Sequence, residues 1–293
     1  MTVAAPRAPA HVLQTAVVLD DARLLYVPVP KAACTAVLRA LARAVDIPEE
    51  RLARARKLEV TRDLAIHDPA VWGTSFALEG RSPEEVERIL HAPDWLRFTV
   101  VREPLRRLWS AWVSKILARE PRFVAFFGHM DWFPAVPDSS DDVLESFRRF
   151  VRGLPARDPD EHDPHWVSQA DLLGWEEVEY GYVGRAEDLT AAMDLLRGRL
   201  VAHGLVLPPL ETANRSLLPY VPGVFDRQAL EAGERWTARD RDAFGYASPR
   251  HDLEEPDNAW HMAVHAAIPA LRAVIERHER IADLRRMAVE AHL

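Results

Sequence analysis

The chain has 293 residues, 48% of them hydrophobic and 28% charged, which is the composition of a globular protein and excludes general disorder. Its formal net charge of −8 disfavours nonspecific binding to nucleic acid. The single cysteine, Cys34, excludes an intrachain disulfide and fits a reducing compartment.

The N-terminal part of the chain predicts a loose tail and then a short strand. Residues 1–14 lack the basic start and the long apolar core of a signal peptide. The apolar run from Ala16 to Leu19 favours a strand. No apolar run in the sequence approaches the length of a membrane span, so we expect a soluble, cytoplasmic protein.

The next stretch predicts a buried strand, a tight turn and a helix. Leu24 to Val29 is an apolar run with a β-branched end. After a turn of small residues that carries Lys31, apolar residues recur at helical spacing, at Val37, Leu38, Leu41 and Val45. A strand, a tight turn and a helix N-terminus form an anion site, because backbone N–H groups and the positive end of the helix dipole point to the same place.

This turn differs from the loop that binds nucleoside triphosphates. In that loop the lysine directly precedes a Ser or Thr, whereas Lys31 precedes Thr35 by four residues and the stretch has no glycine. The order Val-Pro-Lys-x-Ala-Cys-Thr resembles the 5′-phosphosulfate loop of sulfotransferases that use 3′-phosphoadenosine 5′-phosphosulfate (PAPS), especially the chondroitin/dermatan-type carbohydrate sulfotransferases. The resemblance implies that Lys31 acts on the leaving phosphate and that the N–H groups of Ala32, Ala33, Cys34 and Thr35 hold the 5′-phosphate. On this stretch alone, a surface turn with a solvated lysine stays open.

His67 is the first candidate for an acid–base residue. The order Ile66-His67-Asp68-Pro69 predicts a loop, because proline disfavours a helix. Some related sulfotransferases use a histidine between the two cofactor motifs as the general base, and an ordinary imidazole pKa of about 6.5 suits that role. His91 also lies in this interval, and the alternative for His67 is a surface position. The order Ser82-Pro83-Glu84-Glu85 then predicts a helix with a capping box.

The second cofactor motif follows a second predicted strand, Phe98 to Val101. The order Val-Arg-Glu-Pro-x-x-Arg-Leu-x-Ser resembles the 3′-phosphate motif of the same sulfotransferases, in which Arg102 and Ser110 match the residues that hold the 3′-phosphate. Arginine suits that role because its planar guanidinium binds phosphate with a fork of donors. Arg107 matches an arginine that we interpret as structural, and Lys115 matches a lysine without an assigned role. The alternative is an amphipathic helix with solvated arginines.

The middle of the chain offers a second histidine. Residues 123–137 are rich in aromatic side chains and predict a lid or acceptor wall, or else a packed loop. Asp141-Asp142 predicts a helix cap. The order His-Trp-x-x-Gln-x-x-Leu from His165 resembles a segment of the chondroitin/dermatan-type family. His165 is therefore a second acid–base candidate, and Gln169 a candidate for contact with a hydroxyl or the cofactor. A structural role stays open for both, and His162 and His165 lack a third ligand for a metal.

Two further arginines are candidates for cofactor contact. The order Gly-Arg-x-Glu-x-Leu at Arg185 predicts a strand, a turn and a helix, and resembles a family segment near the cofactor. We interpret Glu187 there as a charge at a helix N-terminus. Arg215 lies in an Asn-x-Ser string that related enzymes also carry.

The resemblance covers residues 24–246 and implies the fold. We expect an α/β domain at residues 15–256, with a mainly parallel central sheet flanked by helices as in the nucleotide-kinase-like sulfotransferase fold. The tail at residues 1–14 precedes this domain. Residues 257–293 predict a helical extension that packs on the same domain or on a partner subunit.

The same resemblance implies the function. We expect transfer of a sulfuryl group from PAPS to a hydroxyl of a carbohydrate or small-molecule acceptor, with release of 3′,5′-ADP and no need for a metal, by a bacterial member of the family. Two alternatives stay open, a kinase-like phosphotransferase and a non-catalytic PAPS- or nucleotide-binding protein. The expected partner is the acceptor alone, without nucleic acid or a membrane span, and a homodimer stays open.

Overall fold

A computed structural model of the chain describes residues 9–53, 62–158, 161–211, 216–248 and 254–290. The chain divides into two compact units. Unit 1 consists of the described parts of Met1–Glu103 and Val167–Asn214, and unit 2 of those of Pro104–Trp166 and Arg215–Leu293. Each unit therefore combines two separate segments of the chain.

Unit 1 contains a four-stranded sheet in the order β1-β2-β3-β4. The strands are β1 Val17–Leu19, β2 Leu24–Val27, β3 Leu96–Val101 and β4 Tyr182–Arg185. Strand β1 is antiparallel to β2, whereas β2, β3 and β4 are parallel neighbours. This confirms the predicted α/β fold with a mainly parallel sheet.

An aromatic ladder crosses the three parallel strands of this sheet. Tyr26 of β2 is paired with Phe98 of β3, which is paired with Tyr182 of β4. The ring centroids are 5.6 Å and 6.0 Å apart, and the first two residues are fully buried. Cross-strand aromatic pairs stabilise a sheet and its register. In this register, the carboxyl ends of β2, β3 and β4 lie along one edge, where the candidate site begins.

The helices of the described chain are numbered in chain order. They are α1 Ala10–Thr15, α2 Cys34–Ala44, α3 Glu49–Ala53, α4 Pro69–Trp72, α5 Pro83–His91, α6 Pro104–Ala111, α7 Pro121–Phe127, α8 Ser140–Gly153, α9 Gln169–Leu173, α10 Thr190–Val201, α11 Arg227–Phe244 and α12 Asn258–Glu290. No helix in the described ranges is long and apolar enough to cross a membrane.

Two local predictions in unit 1 are wrong. The expected loose tail already contains helix α1, whose Val12 is fully buried. The expected loop at His67 is instead a 3₁₀ turn, Arg62–His67, followed by α4. The reason is local, because the Asp68 carboxylate accepts a hydrogen bond from the Ala70 N–H at 3.0 Å and Pro69 takes the first helical position.

Side chains cap the structural helices. The predicted capping box of α5 is present, because the Ser82 hydroxyl accepts from the Glu85 N–H at 3.2 Å and the Glu85 carboxylate accepts from the Ser82 N–H at 3.1 Å. Helix α8 also has a capping box, but it is built from Ser139 and Asp142 rather than from the predicted pair of aspartates.

Unit 2 is a helical unit around an aromatic core. Trp109 lies with its ring centroid 4.9 Å from that of Phe147, and both side chains are buried. Helix α12, which lies within the predicted C-terminal extension, places apolar residues in this core at Trp260, Val264, Leu271 and Ile275. The aromatic stretch after residue 122 is mostly packed, with Phe123, Phe127 and Phe133 buried and Phe126 exposed.

Candidate active site

The turn between β2 and α2 has an unusual backbone. Lys31 and Ala33 adopt left-handed conformations, with φ of 69° and 59°. This conformation costs a non-glycine residue roughly 1–2 kcal/mol, and such strain is concentrated at functional sites. Within the turn, the Ala32 N–H donates to the Val29 carbonyl at 3.2 Å. Ala32 therefore supports the turn itself, and the predicted phosphate contacts fit Ala33, Cys34 and Thr35 better.

Helix α2 begins at this turn without help from a side chain. Its N-cap residue is Ala33, and no side chain makes a capping hydrogen bond. The N–H groups in the first turn of a helix have no partner within the helix, and the helix dipole is positive at this end. An anion bound at the turn would meet both needs, as in other phosphate sites at helix N-termini.

The electrostatics of the turn favour a negative charge. Burial opposes ionisation of the Cys34 thiol, but nearby His67 and Lys31 outweigh it and lower the pKa of the thiol from 9.0 to about 7. Part of this effect comes from hydrogen bonds of the thiol with the His67 side chain and the Lys31 backbone. The same positive surroundings would stabilise the phosphosulfate group of PAPS. The residues present therefore fit an anionic ligand of this kind.

His67 connects the turn to a polar pocket. Its Nε2 atom is 2.9 Å from the Thr35 hydroxyl oxygen, within hydrogen-bond distance. His67 also lines a pocket of about 260 Å³, together with Gln14, Thr15, Pro69 and Glu79. The structure thus brings the first acid–base candidate to a predicted phosphate-binding residue and beside a space that a small polar group could enter.

Arg102 joins the second motif to the first. It follows the last residue of β3, and its Nη1 atom donates to the Lys31 carbonyl at 3.2 Å. This proximity follows from the parallel pairing of β2 with β3, which brings their carboxyl ends together. Lys31, Thr35, His67 and Arg102 therefore belong to one cluster at the carboxyl edge of the sheet.

Two side chains hold the backbone where β3 ends. The Gln169 amide accepts from the Arg102 N–H at 2.9 Å and donates to the Arg102 carbonyl at 2.9 Å. The Glu187 carboxylate accepts from the Glu103 N–H at 2.8 Å. Gln169 is fully buried, so the first of these contacts is shielded from water. Glu187, interpreted from the sequence as a charge at a helix N-terminus, thus also contacts the second motif.

The two remaining arginine candidates have different outcomes. Arg185 is the last residue of β4 and is paired with Val101, so it lies at the same edge of the sheet as Arg102. It is exposed there. Arg215 lies outside the described residues.

Ser110 and its neighbours lie in unit 2. Ser110 is buried in α6, and Arg106 on the same helix stacks on the Tyr220 ring with 4.9 Å to the centroid. Arg107 is buried and donates to the Pro164 carbonyl at 2.6 Å, which is the structural role that the sequence suggested. Lys115 lies in a π-helical turn, Trp112–Leu117, and pairs with Glu120 at 2.5 Å.

His165 is held by a carboxylate in unit 2. Its Nδ1 atom is 2.6 Å from the Asp163 carboxylate, which also accepts from the His165 N–H at 3.0 Å. Burial raises the pKa of Asp163, but the contacts with His165 and the charge of Arg122 outweigh it, so that the pKa is lowered. An ionised carboxylate at Nδ1 favours the tautomer in which Nε2 carries the lone pair, as in acid–base sites.

The model of the sulfotransferase family matches residues 14–220 of the chain. The chain belongs to the sulfotransferase family.

Within the described ranges, no group of three or more His, Cys, Asp and Glu side chains could hold a metal ion.

Named members of the family resemble the chain. Human carbohydrate sulfotransferase 14 is 32% identical over 186 residues, which are 61% of this chain and 44% of that protein. Zebrafish (Danio rerio) carbohydrate sulfotransferase 10 is 27% identical over 215 residues, 66% of this chain and 57% of that protein. The chain thus spans about half the length of the curated relatives it matches. No solved structure matches it.

Sequence reasoning missed two contacts and one pKa shift. It predicted no contact of Glu187 with the Glu103 N–H, none of Asp163 with His165, and no lowered pKa of Cys34. Only the second had a usable signal, since an aspartate two residues before a histidine can accept from its backbone and its ring. The contact of Glu187 with Glu103 and the effect of His67 on Cys34 join residues that are distant in sequence.

Proposed function

We propose that the chain transfers a sulfuryl group from PAPS to a hydroxyl of a carbohydrate or small-molecule acceptor and releases 3′,5′-ADP. The observation that carries the proposal is the hydrogen bond from Arg102 to the Lys31 carbonyl. It joins the two motifs whose residue order resembles the 5′-phosphosulfate and 3′-phosphate motifs of this family. Membership of the family supports the same reaction class.

Lys31, the start of α2 and Arg102 each have a role in this reaction. Bound PAPS would supply the sulfuryl group, and 3′,5′-ADP would leave through an oxygen of its 5′-phosphate. The Lys31 ammonium stabilises the charge on that phosphate oxygen, and the N–H groups at the start of α2 hold the 5′-phosphate. Arg102 holds the 3′-phosphate with its guanidinium fork. For Ser110, the same role rests on the resemblance of its motif.

The acceptor hydroxyl must lose its proton as the new oxygen–sulfur bond forms. His67 is one candidate for the base, because it contacts Thr35 and lines the polar pocket. His165 is the other, because Asp163 holds its Nδ1 atom. Replacing each histidine by asparagine distinguishes them. The base variant loses turnover and the acidic limb of the pH profile, whereas the other variant keeps both.

A carbohydrate is the acceptor class that the comparisons favour. The relatives matched are named carbohydrate sulfotransferases, and the polar lining of the pocket beside His67 suits hydroxyl groups. The kinase-like alternative loses support, because the family model spans both motifs. The cytoplasmic location and the homodimer stay predictions of the sequence.

The test of the proposal is calorimetric titration with 3′,5′-ADP and with 5′-AMP, which lacks only the 3′-phosphate. Wild type should prefer 3′,5′-ADP, and Arg102→Ala should remove that preference, because the guanidinium is its main source. Arg43→Ala is the matched control, since it removes an exposed arginine from the last turn of α2. Equal affinity of wild type for the two nucleotides would refute the proposal.

Turnover is measured with sulfur-labelled PAPS and a panel of unsulfated oligosaccharides. Lys31→Ala should lower kcat on the order of 10²–10³-fold, the usual effect of removing a group that stabilises transition-state charge. Its affinity for 3′,5′-ADP should fall much less. A Lys31→Ala variant with wild-type kcat would show that the lysine does not act on the leaving phosphate.

A further inference from the structure

We propose that Gln169 is a positioning residue for nucleotide selectivity. Its buried amide fixes the backbone of Arg102 and thereby sets how strongly the site prefers a 3′-phosphorylated nucleotide. The inference rests on the proposed function, because it assumes that Arg102 binds the 3′-phosphate.

The Gln169 amide makes a hydrogen bond with each of the two backbone groups of Arg102. The Arg102 N–H donates to Oε1 of Gln169 at 2.9 Å, and Nε2 of Gln169 donates to the Arg102 carbonyl at 2.9 Å. An amide side chain offers a strong donor and a strong acceptor on one planar group, which an ionised carboxylate of the same length does not. The amide therefore replaces, for a single residue, the pairing that a neighbouring strand would give.

Arg102 needs such support because of its place in the fold. It is the first residue after β3, where the regular pairing of the sheet stops. Glu187 adds a second contact, to the Glu103 N–H at 2.8 Å. Binding groups act well only when they are held within about 0.5 Å of the productive geometry, so a fixed backbone favours the fork-like contact of a guanidinium with phosphate.

Gln169 is itself held in place. It is the first residue of α9, and the Ser168 hydroxyl caps this helix by accepting from the Asp171 N–H at 3.2 Å. At the other end of α9, the Tyr180 hydroxyl donates to the Leu173 carbonyl at 2.8 Å. With Gln169 fully buried, the orientation of its amide follows from a fixed helix rather than from a mobile loop.

A positioning role and a purely structural role predict different losses. If Gln169 only stabilised unit 1, its replacement would lower the affinity for 3′,5′-ADP and the affinity for 5′-AMP by the same factor. If Gln169 positions Arg102, its replacement lowers the affinity for 3′,5′-ADP and leaves that for 5′-AMP nearly unchanged, because only 3′,5′-ADP carries the 3′-phosphate. The ratio of the two dissociation constants therefore separates the two roles.

The experiment measures that ratio for Gln169→Met and Gln169→Glu. Methionine has a similar length but makes neither hydrogen bond, and affinity for 3′,5′-ADP should fall about 10- to 100-fold, as for other supporting residues around a binding group. Affinity for 5′-AMP should change less than about threefold. Ionised glutamate can accept from the Arg102 N–H but cannot donate to its carbonyl, so selectivity should fall in this variant too.

Protonation of the glutamate variant provides a rescue. A neutral carboxyl group has one donor and one acceptor, as the amide has. The selectivity of Gln169→Glu, divided by that of wild type at the same pH, should therefore rise as the pH is lowered from 8 to 5. This variant also tests the inference if Gln169→Met does not fold.

The control is Ser82→Ala, which removes a capping hydrogen bond of α5, a helix that does not support Gln169. It should lower the melting temperature and leave selectivity at the wild-type value. Wild-type selectivity in both Gln169 variants, or equal losses for the two nucleotides, would overturn the inference. A wild type without selectivity would instead refute the proposed function, so the two failures are distinguishable.

Discussion

Helices α2 and α5 both belong to unit 1, but they begin in opposite ways. Helix α5 satisfies its own N-terminus, because Ser82 and Glu85 form a capping box. Helix α2 begins at Ala33, a left-handed residue whose methyl group cannot accept a hydrogen bond. The difference does not follow from helix length, since both are longer than two turns.

The two helices also differ in where their negative charge comes from. At α5 the charge is part of the chain, and a hydrogen bond from the Ser82 N–H lowers the pKa of the Glu85 carboxyl. The first turn of α2 has no aspartate or glutamate, and the Cys34 thiol at its start has a pKa of about 7. The comparison shows that α5 carries its own anion, whereas the first turn of α2 has no carboxylate and is where we propose that a phosphate of the ligand binds.

The strongest test of this comparison gives α2 an anion of its own. Ala33→Asp adds a carboxylate at the turn, which would repel the phosphate of the nucleotide. We expect affinity for 3′,5′-ADP to fall about 100-fold, which corresponds to about 2.8 kcal/mol. The free protein should become more stable by about 0.5–1 kcal/mol, since a negative charge suits a helix N-terminus and aspartate tolerates the left-handed conformation better than alanine. Calorimetry and denaturant unfolding measure the two effects.

The control for this variant is Ala33→Asn, which has the same shape without the charge. Its affinity for 3′,5′-ADP should stay within about threefold of wild type. If the aspartate variant binds as tightly as the asparagine variant, the turn is not the anion site.

The pH dependence of stability tests whether the surroundings of the Cys34 thiol, at the start of α2, favour a negative charge. The pKa of Cys34 falls from 9.0 to about 7 on folding, so between these pH values the folded chain binds fewer protons than the unfolded chain. The free energy of unfolding of wild type, minus that of Cys34→Ser, should therefore rise between pH 7 and pH 9, by on the order of 2 kcal/mol. This gain is lost as the pH falls through 7. Urea unfolding under reducing conditions measures it.

His67 is one of the causes of the lowered thiol pKa, which provides a second arm for this measurement. In a His67→Asn background, the rise with pH should be smaller. If the difference in the free energy of unfolding between wild type and Cys34→Ser does not change with pH, the positive surroundings assigned to the turn are contradicted.

The smallest expected effect lies at α5. Ser82→Ala removes one half of the capping box and should cost about 1 kcal/mol of stability. Because this N-terminus carries its own anion, affinity for 3′,5′-ADP should not change. Thermal unfolding with and without the nucleotide checks both statements, and a loss of affinity would remove the distinction between the two helices.

The parts of the fold that could be predicted depend on neighbouring residues. Strands β2 and β3 follow from apolar runs, and the start of α5 follows from Ser82 and Glu85, three positions apart. The turn of helix after His67 also had a local signal, since Asp68 and Pro69 are a good cap and a good first residue. The prediction of a loop was wrong because it used the proline only as a helix breaker.

The parts that could not be predicted depend on distance and strain. The contacts of Thr35 with His67 and of Arg102 with Gln169 join positions 32 and 67 residues apart, and no spacing rule reaches that far. The left-handed conformations of Lys31 and Ala33 had no signal either, because glycine is the residue that normally marks them. Tertiary structure imposes these features on a sequence that does not favour them.

The long separation between Arg102 and Gln169 has a consequence for synthesis on the ribosome. The chain leaves unit 1 after Glu103, builds part of unit 2, and returns at Val167. A nascent chain that ends before this return already contains both phosphate motifs, but it lacks β4 and the amide that holds Arg102. If Gln169 has the proposed role, the growing chain would acquire selectivity for the nucleotide only after the first segment of unit 2, Pro104–Trp166, has been translated.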